Sequence, residues 1–335
     1  MASIGVCAVV FASITGAWLL LPASVLQACR PLEVNVSPPS SSDWYLGYFN
    51  MQVEQYAVYQ NLDGAAEALK HADVLLVGDS LVLFAFQDRE VLRKFFAARG
   101  LSYFLLAFSA EADEVFPEAI IRKFDLHPKL VIVNADAFFG MPPSPAASRA
   151  MTFGYLEAWK SRFEAATSLA ILSRVHRIFP DLALSQWETH PQWIWYRAKS
   201  DGAMLPVAWR GTPKTISDSS PTDLVWQDAR RRPPSSEELK GAEGFKDLLD
   251  SRGSKLVLTW IPPTSGATAR HLAAALHVPL VIPRANGLST IDGKHLDRES
   301  STRFTNTFLT ALGKITDQIR GERAEARANL AREKP

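Results

Sequence analysis

Cysteine is nearly absent from this 335-residue chain: there are two, Cys7 and Cys29, both in or beside the first hydrophobic stretch. The body of the chain therefore has neither a disulfide framework nor a thiolate metal site, a pattern that fits export from the cell. An excess of either charge is also missing, with 36 Lys+Arg against 35 Asp+Glu, so no polyanion-binding surface is signalled and nothing favours nucleic acid. His127, His176, His190, His271 and His277 lack the paired spacing of metal ligands. No glycine-rich phosphate loop of the P-loop or dinucleotide kind occurs, and there are no internal repeats. These absences imply no metal and no cofactor. What remains is an ordinary globular balance, 47% hydrophobic and 21% charged, which supports one large α/β domain with an insertion or two modest domains.

The N-terminus lacks charge altogether from Met1 to Cys29, and Ile4 to Leu26 is dominated by Val, Ala, Ile, Leu, Phe and Trp. About 20 apolar residues span a bilayer as a helix. The length of the run favours an uncleaved transmembrane anchor over a signal peptide cut near Pro22-Ala23-Ser24 or before Cys29, or a buried helix of the domain that follows. Arg30 is the nearest charge and weakly opposes export by the positive-inside rule. The nature of the domain that follows outweighs it and favours a periplasmic or otherwise extracytoplasmic body.

After this segment (1–29), residues 30–60 read as a linker containing Pro38-Pro39-Ser40-Ser41-Ser42, followed by an aromatic-rich stretch. That stretch, Trp44 to Gln60, suits a helix lying near the membrane or on the domain. Residues 61–321 then alternate short, unbroken apolar runs with helical patterns. The runs are Val74–Val77, Tyr103–Ala107, Leu130–Val133, Lys255–Trp260 and Pro279–Ile282. Helical patterns run from Ser80 through Ala98, around Glu114 to Phe124, and from about Arg298 to Arg320. Short runs without polar alternation are strands buried on both faces, so this rhythm predicts a parallel sheet in a three-layer α/β sandwich.

The rhythm breaks over the insertion 141–236, where a helical stretch (Tyr155 to Phe179) precedes a region holding Trp187, Trp193, Trp195, Trp209 and Trp226. Ser217 to Glu238 reads as loop. Its Arg230-Arg231-Arg232 suits a solvated loop better than an anion site. The tryptophans suit stacking on sugar rings and packing about equally. An insertion of this length inside a sheet domain is more often functional than idle, as a lid or substrate-binding cap. Residues 322–335 read as a charged tail.

Two short motifs carry chemistry. Gly78-Asp79-Ser80-Leu81 stands where the first strand ends and a helix begins, a turn at which a serine is exposed beside free backbone N–H groups. The same residues also suit an ordinary helix cap. Asp292-Gly293-Lys294-His295 precedes the last helix. A carboxylate three residues before a histidine can accept its Nδ1–H and leave Nε2 free to take a proton from a serine. The alpha/beta-hydrolase elbow G-x-S-x-G is excluded, because residue 82 is Val.

Taken together and in the order Ser, Asp, His, the two motifs resemble those of the SGNH/GDSL hydrolase superfamily, over roughly residues 72–140 and 253–320. The resemblance implies a flavodoxin-like α/β/α fold with Ser80, Asp292 and His295 as catalytic triad. It implies an oxyanion hole from the Ser80 N–H, a backbone N–H at Ser109 or Ala110, and Asn134. The second family block departs, since Ala107-Phe108-Ser109-Ala110-Glu111 has no glycine, and the third reads Val133-Asn134-Ala135-Asp136. Trp260-Ile261-Pro262-Pro263 suits packing beneath the site. The expected activity is a serine esterase or O-acyltransferase, moving an acyl group such as acetyl on a cell-envelope polysaccharide or a similar ester. The competing expectation is an inactive SGNH-like domain that binds polysaccharide or scaffolds an envelope assembly.

Overall fold

The structure, a computed structural model, describes residues 42–49, 52–109, 113–136, 138–178, 194–208, 233–264 and 266–332. The apolar N-terminal run, most of the linker, Ala110, Trp187, Trp193, Trp209, Trp226 and Arg230-Arg231-Arg232 lie outside the described residues. Among the described residues no helix is long and apolar enough to cross a membrane.

Five strands form a parallel sheet: β2 (Val74–Gly78), β3 (Tyr103–Ala107), β4 (Leu130–Asn134), β7 (Lys255–Thr259) and β8 (Leu280–Val281). Their spatial order is β3-β2-β4-β7-β8. Each apolar run expected as a strand is one. Their residues divide alternately between two cores: Leu75, Val77, Val131 and Val133 face one side, Val74, Leu76, Leu130 and Ile132 the other. Burial on both faces is why no polar residue interrupts these runs.

Helices cover both faces. One side carries α2 (Ser80–Ala85), α3 (Arg89–Ala97) and α9 (Arg298–Arg332), through residues such as Leu83, Leu92, Phe96, Phe304 and Phe308. The other carries α1 (Glu54–Tyr59), α4 (Val115–Lys123), α5 (Pro145–Thr152), α7 (Ser236–Ser251) and α8 (Ala267–Leu276). Two elements differ in extent from expectation. The pattern from Ser80 to Ala98 is two helices, because Asp88 caps a second start by accepting the Val91 N–H at 3.2 Å. The last helix runs on to Arg332, so most of the charged tail is helical.

The aromatic stretch Trp44 to Gln60 is not one helix. It is strand β1 (Trp44–Phe49) followed by α1, and both belong to the domain: Tyr45, Tyr56, Ala57 and Val58 are buried in its core. Strand β1 pairs antiparallel with β5 (Ile194–Ala198), which pairs with β6 (Met204–Ala208), in a second, three-stranded sheet. The insertion thus contributes α5, the long helix α6 (Tyr155–Ile178), β5 and β6. The segment expected as loop to Glu238 ends at Ser235, where a capping box with Glu238 starts α7.

The small sheet covers the open edge of the large one. The Leu105 N–H donates to the Asp201 carbonyl at 2.8 Å. The Arg197 guanidinium donates to the carbonyls of Leu105 and Ala107 at 2.8 and 2.6 Å, and to the Glu54 carboxylate at 2.8 Å. Glu54 and Arg197 are both wholly buried. One ion pair thereby satisfies backbone groups that an edge strand would otherwise leave open.

Candidate active site

In this strand order the chain reverses direction across the sheet between β2 and β4, and ligands in open α/β sheets bind at that crevice, beyond the carboxyl ends of the strands. Gly78-Asp79-Ser80 leaves the end of β2, and Asn134 ends β4 beside it. A Cβ added to Gly78 would lie 2.4 Å from the Val82 Cγ2 and 3.3 Å from the Asn134 Cβ. Glycine at this position therefore lets Asn134 and the first turn of α2 approach each other.

Asp79 takes the helix-capping role. Its carboxylate accepts the Leu81 N–H at 2.9 Å, and its carbonyl accepts the N–H groups of Val82 and Leu83. Within this turn the Ser80 N–H is left without an acceptor, and the Ser80 hydroxyl is free for another partner. That partner is His295, whose Nε2 lies 2.9 Å from the Ser80 Oγ.

The Asp292–His295 loop is held by its own backbone. Asp292 Oδ1 accepts the N–H groups of Lys294 and His295 at 3.0 and 2.8 Å, and Gly293 turns with φ +83°. The Ile291 N–H donates to the His295 carbonyl at 2.9 Å. With Oδ1 occupied, Oδ2 stands 2.7 Å from the His295 Nδ1. This is the tautomer-fixing contact that makes Nε2 a proton acceptor. Burial pushes the Asp292 carboxyl upward, but hydrogen bonds from the His295 backbone, its ring and the Lys294 N–H outweigh it and leave the pKa lowered. Asp79 goes the other way: burial raises it, against the Leu81 N–H and the charge of Lys294.

Ser80 and His295 are 215 positions apart, and the junction of α2 with α9 brings them together. The hydroxyls of Ser301 and Thr305 on α9 both donate to the Ala85 carbonyl at the end of α2, at 2.9 and 3.0 Å. Asp297 caps α9 by accepting the Ser300 N–H at 2.7 Å. The Phe84 ring, one helical turn beyond Ser80, backs the imidazole with centroids 4.6 Å apart.

The candidates for the oxyanion hole fare differently. Asn134 is buried at 2% exposure, and its Oδ1 has no hydrogen-bond partner. Ser109 does not serve as expected, because its N–H donates to Glu54 Oε1 at 2.6 Å while its carbonyl accepts from Gln52 at 2.8 Å and Gln55 at 3.3 Å. The physical reason is strand parity. The Phe108 N–H points inward to Gly78, so the N–H of the next residue points to the outer edge. Ala110 lies outside the described residues.

Asp136 is structural, accepting the N–H groups of Gly266 and Ala269 at the start of α8. Trp260 is buried, with the Arg270 guanidinium 5.0 Å from its ring, in agreement with a packing role. Trp195 also packs, stacked on Tyr48 with centroids 4.4 Å apart and donating its indole N–H to Glu54. Among the described residues no group of three or more His, Cys, Asp or Glu side chains is placed to hold a metal ion. Sequence reasoning missed Phe84 and Glu54, whereas the helix-cap reading of Gly78-Asp79-Ser80-Leu81 is realised by Asp79. The four-residue spacing of Phe84 from Ser80 on a helix was the one available signal.

In comparisons with known proteins the chain matches no family model, no curated protein and no solved structure.

Proposed function

We propose that the protein is a serine-dependent acyl ester hydrolase or O-acyltransferase of the SGNH type, with Ser80, His295 and Asp292 as its triad. The observation that carries this reading is the continuous relay from Ser80 Oγ through His295 to Asp292, at 2.9 and 2.7 Å. Ser80 Oγ attacks the ester carbonyl carbon while its proton moves to Nε2, and Asp292 stabilises the imidazolium. The tetrahedral oxyanion faces the Ser80 N–H and the Asn134 side chain. Collapse expels the alcohol, which takes the proton from Nε2, and leaves Ser80 acylated. Water or a sugar hydroxyl, deprotonated by His295, then releases the acyl group. An envelope polysaccharide bearing acetyl or similar esters fits the N-terminal apolar run, which would hold the domain at a membrane.

The competing reading, an inactive domain that binds such a polymer, rests on Ser109, whose N–H is withheld by Glu54. The test separates them. Full-length protein in detergent is treated with a fluorophosphonate probe and with 4-nitrophenyl acetate, beside Ser80→Ala. Labelling and turnover in the wild type, both lost in the variant, support the enzyme. A folded wild type that neither labels nor turns over ester supports the binding domain.

A further inference from the structure

The large apolar side chains that remain exposed among the described residues concentrate on one element. Four of them, Tyr155 (57% exposed), Leu156 (72%), Trp159 (46%) and Phe163 (55%), lie in the first turns of α6. Tyr155, Trp159 and Phe163 recur every four residues and so form one stripe. The Trp159 and Phe163 rings stack on each other with centroids 5.3 Å apart and an interplanar angle of 12°. The side of the helix beside the stripe that meets the domain is small and buried, at Ala158 and Ala165. This helix therefore has an apolar face toward its own domain and a second, aromatic face toward the outside. A contiguous exposed patch of this kind marks an interaction surface.

Where that surface stands decides what it meets. Helix α6 packs against β1 and α1, and Arg162 pairs with Asp63 at 2.6 Å. Strand β1 is where the chain enters the domain, directly after residues 27–43, which separate it from the apolar run 4–26. Whatever its conformation, a segment of that length reaches at most about 60 Å. If the run is inserted in a bilayer, α6 is thus tethered close to the lipid surface. Confinement of this kind makes even a weak second contact prevail. The chemistry of the stripe suits that surface: Tyr and Trp belong at the water–lipid boundary, and Leu and Phe reach below it.

We propose that the Tyr155–Leu156–Trp159–Phe163 face of α6 lies in the interfacial layer of the membrane, as a second attachment beside the N-terminal run. The proposal rests on the membrane reading of that run. It implies that the domain is held in one orientation and does not swing on its linker.

The test uses full-length protein with Cys7→Ser and Cys29→Ser, reconstituted in phosphatidylethanolamine–phosphatidylglycerol vesicles. A nitroxide is placed at Leu156→Cys, at Phe163→Cys or, as control, at Arg93→Cys on the far helix α3. Collision with oxygen and with a water-soluble nickel chelate is read by electron paramagnetic resonance. Interfacial contact predicts that 156 and 163 favour oxygen over nickel while 93 favours nickel. Labels at 156 and 163 that behave like 93 overturn the proposal while leaving the anchor intact. Labels shielded from both reagents also overturn it: dipolar broadening would then identify a second copy, and its absence another segment of the same chain. A protein that does not float with the vesicles overturns the anchor and the proposal together.

Discussion

The Asp79 carboxylate accepts the N–H of Leu81 at 2.9 Å, and by capping α2 itself it leaves the neighbouring Ser80 hydroxyl to His295. A residue that caps one helix and flanks Ser80 sits where burial disfavours its charge, and its pKa is raised accordingly.

Asp79→Asn keeps the cap, since asparagine caps as well as aspartate. A raised folded-state pKa means that the wild type loses stability as pH rises from the unfolded carboxylate range through the raised value. The variant should therefore melt higher than wild type at neutral pH, with the difference vanishing near pH 4, the ordinary aspartate range. Thermal melts across pH check this, and a gap that widens in acid would refute it.

Asp292 has the opposite sign. Its lowered pKa contributes stability that is complete above the ordinary carboxylate range and is lost only as pH falls through the lowered value. Asp292→Asn should be less stable at neutral pH, with the gap closing in strong acid. Its amide would also present a donor to Nδ1 and favour the wrong tautomer, so kcat should fall by about 10³–10⁴. Steady-state kinetics on 4-nitrophenyl acetate beside melting curves separates the two effects.

Asn134→Ala should reduce kcat by about 10² or more, the scale of one oxyanion donor, with KM little changed. Its Oδ1 makes no hydrogen bond in the fold, so stability should change little. Loss of folding together with activity would instead assign Asn134 a structural role.

The Glu54–Arg197 pair tests the edge of the sheet. Glu54→Gln leaves the buried guanidinium without its counter-charge and should cost about 3–5 kcal/mol. The double variant Glu54→Gln/Arg197→Met removes the stranded charge and should recover part of that loss. Urea unfolding of the single and double variants measures the coupling directly.

Much of this molecule was legible in the chain itself. Runs such as Val74–Val77 and Leu130–Val133 announce doubly buried strands because both faces of each strand must be apolar, a requirement that local sequence alone expresses. Gly78-Asp79-Ser80 and Asp292-Gly293-Lys294-His295 are short enough that their turns follow from the residues within them: a capping carboxylate in one, a glycine and two backbone N–H groups in the other. Strand β1 was not legible, because its aromatic residues serve a three-stranded sheet whose other strands come from an insertion some 150 positions later. Nor was the fate of Ser109, since its N–H direction depends on strand parity and on a carboxylate from α1. The two motifs and their order led to the expectation that Ser80 meets His295, but the contacts beside the pair, Ser301 and Thr305 on the Ala85 carbonyl, were decided by tertiary structure alone. The sequence determines which local pieces form. Contacts between remote positions form only when packing presses two helices together, and no pattern within either helix records the other's carbonyl.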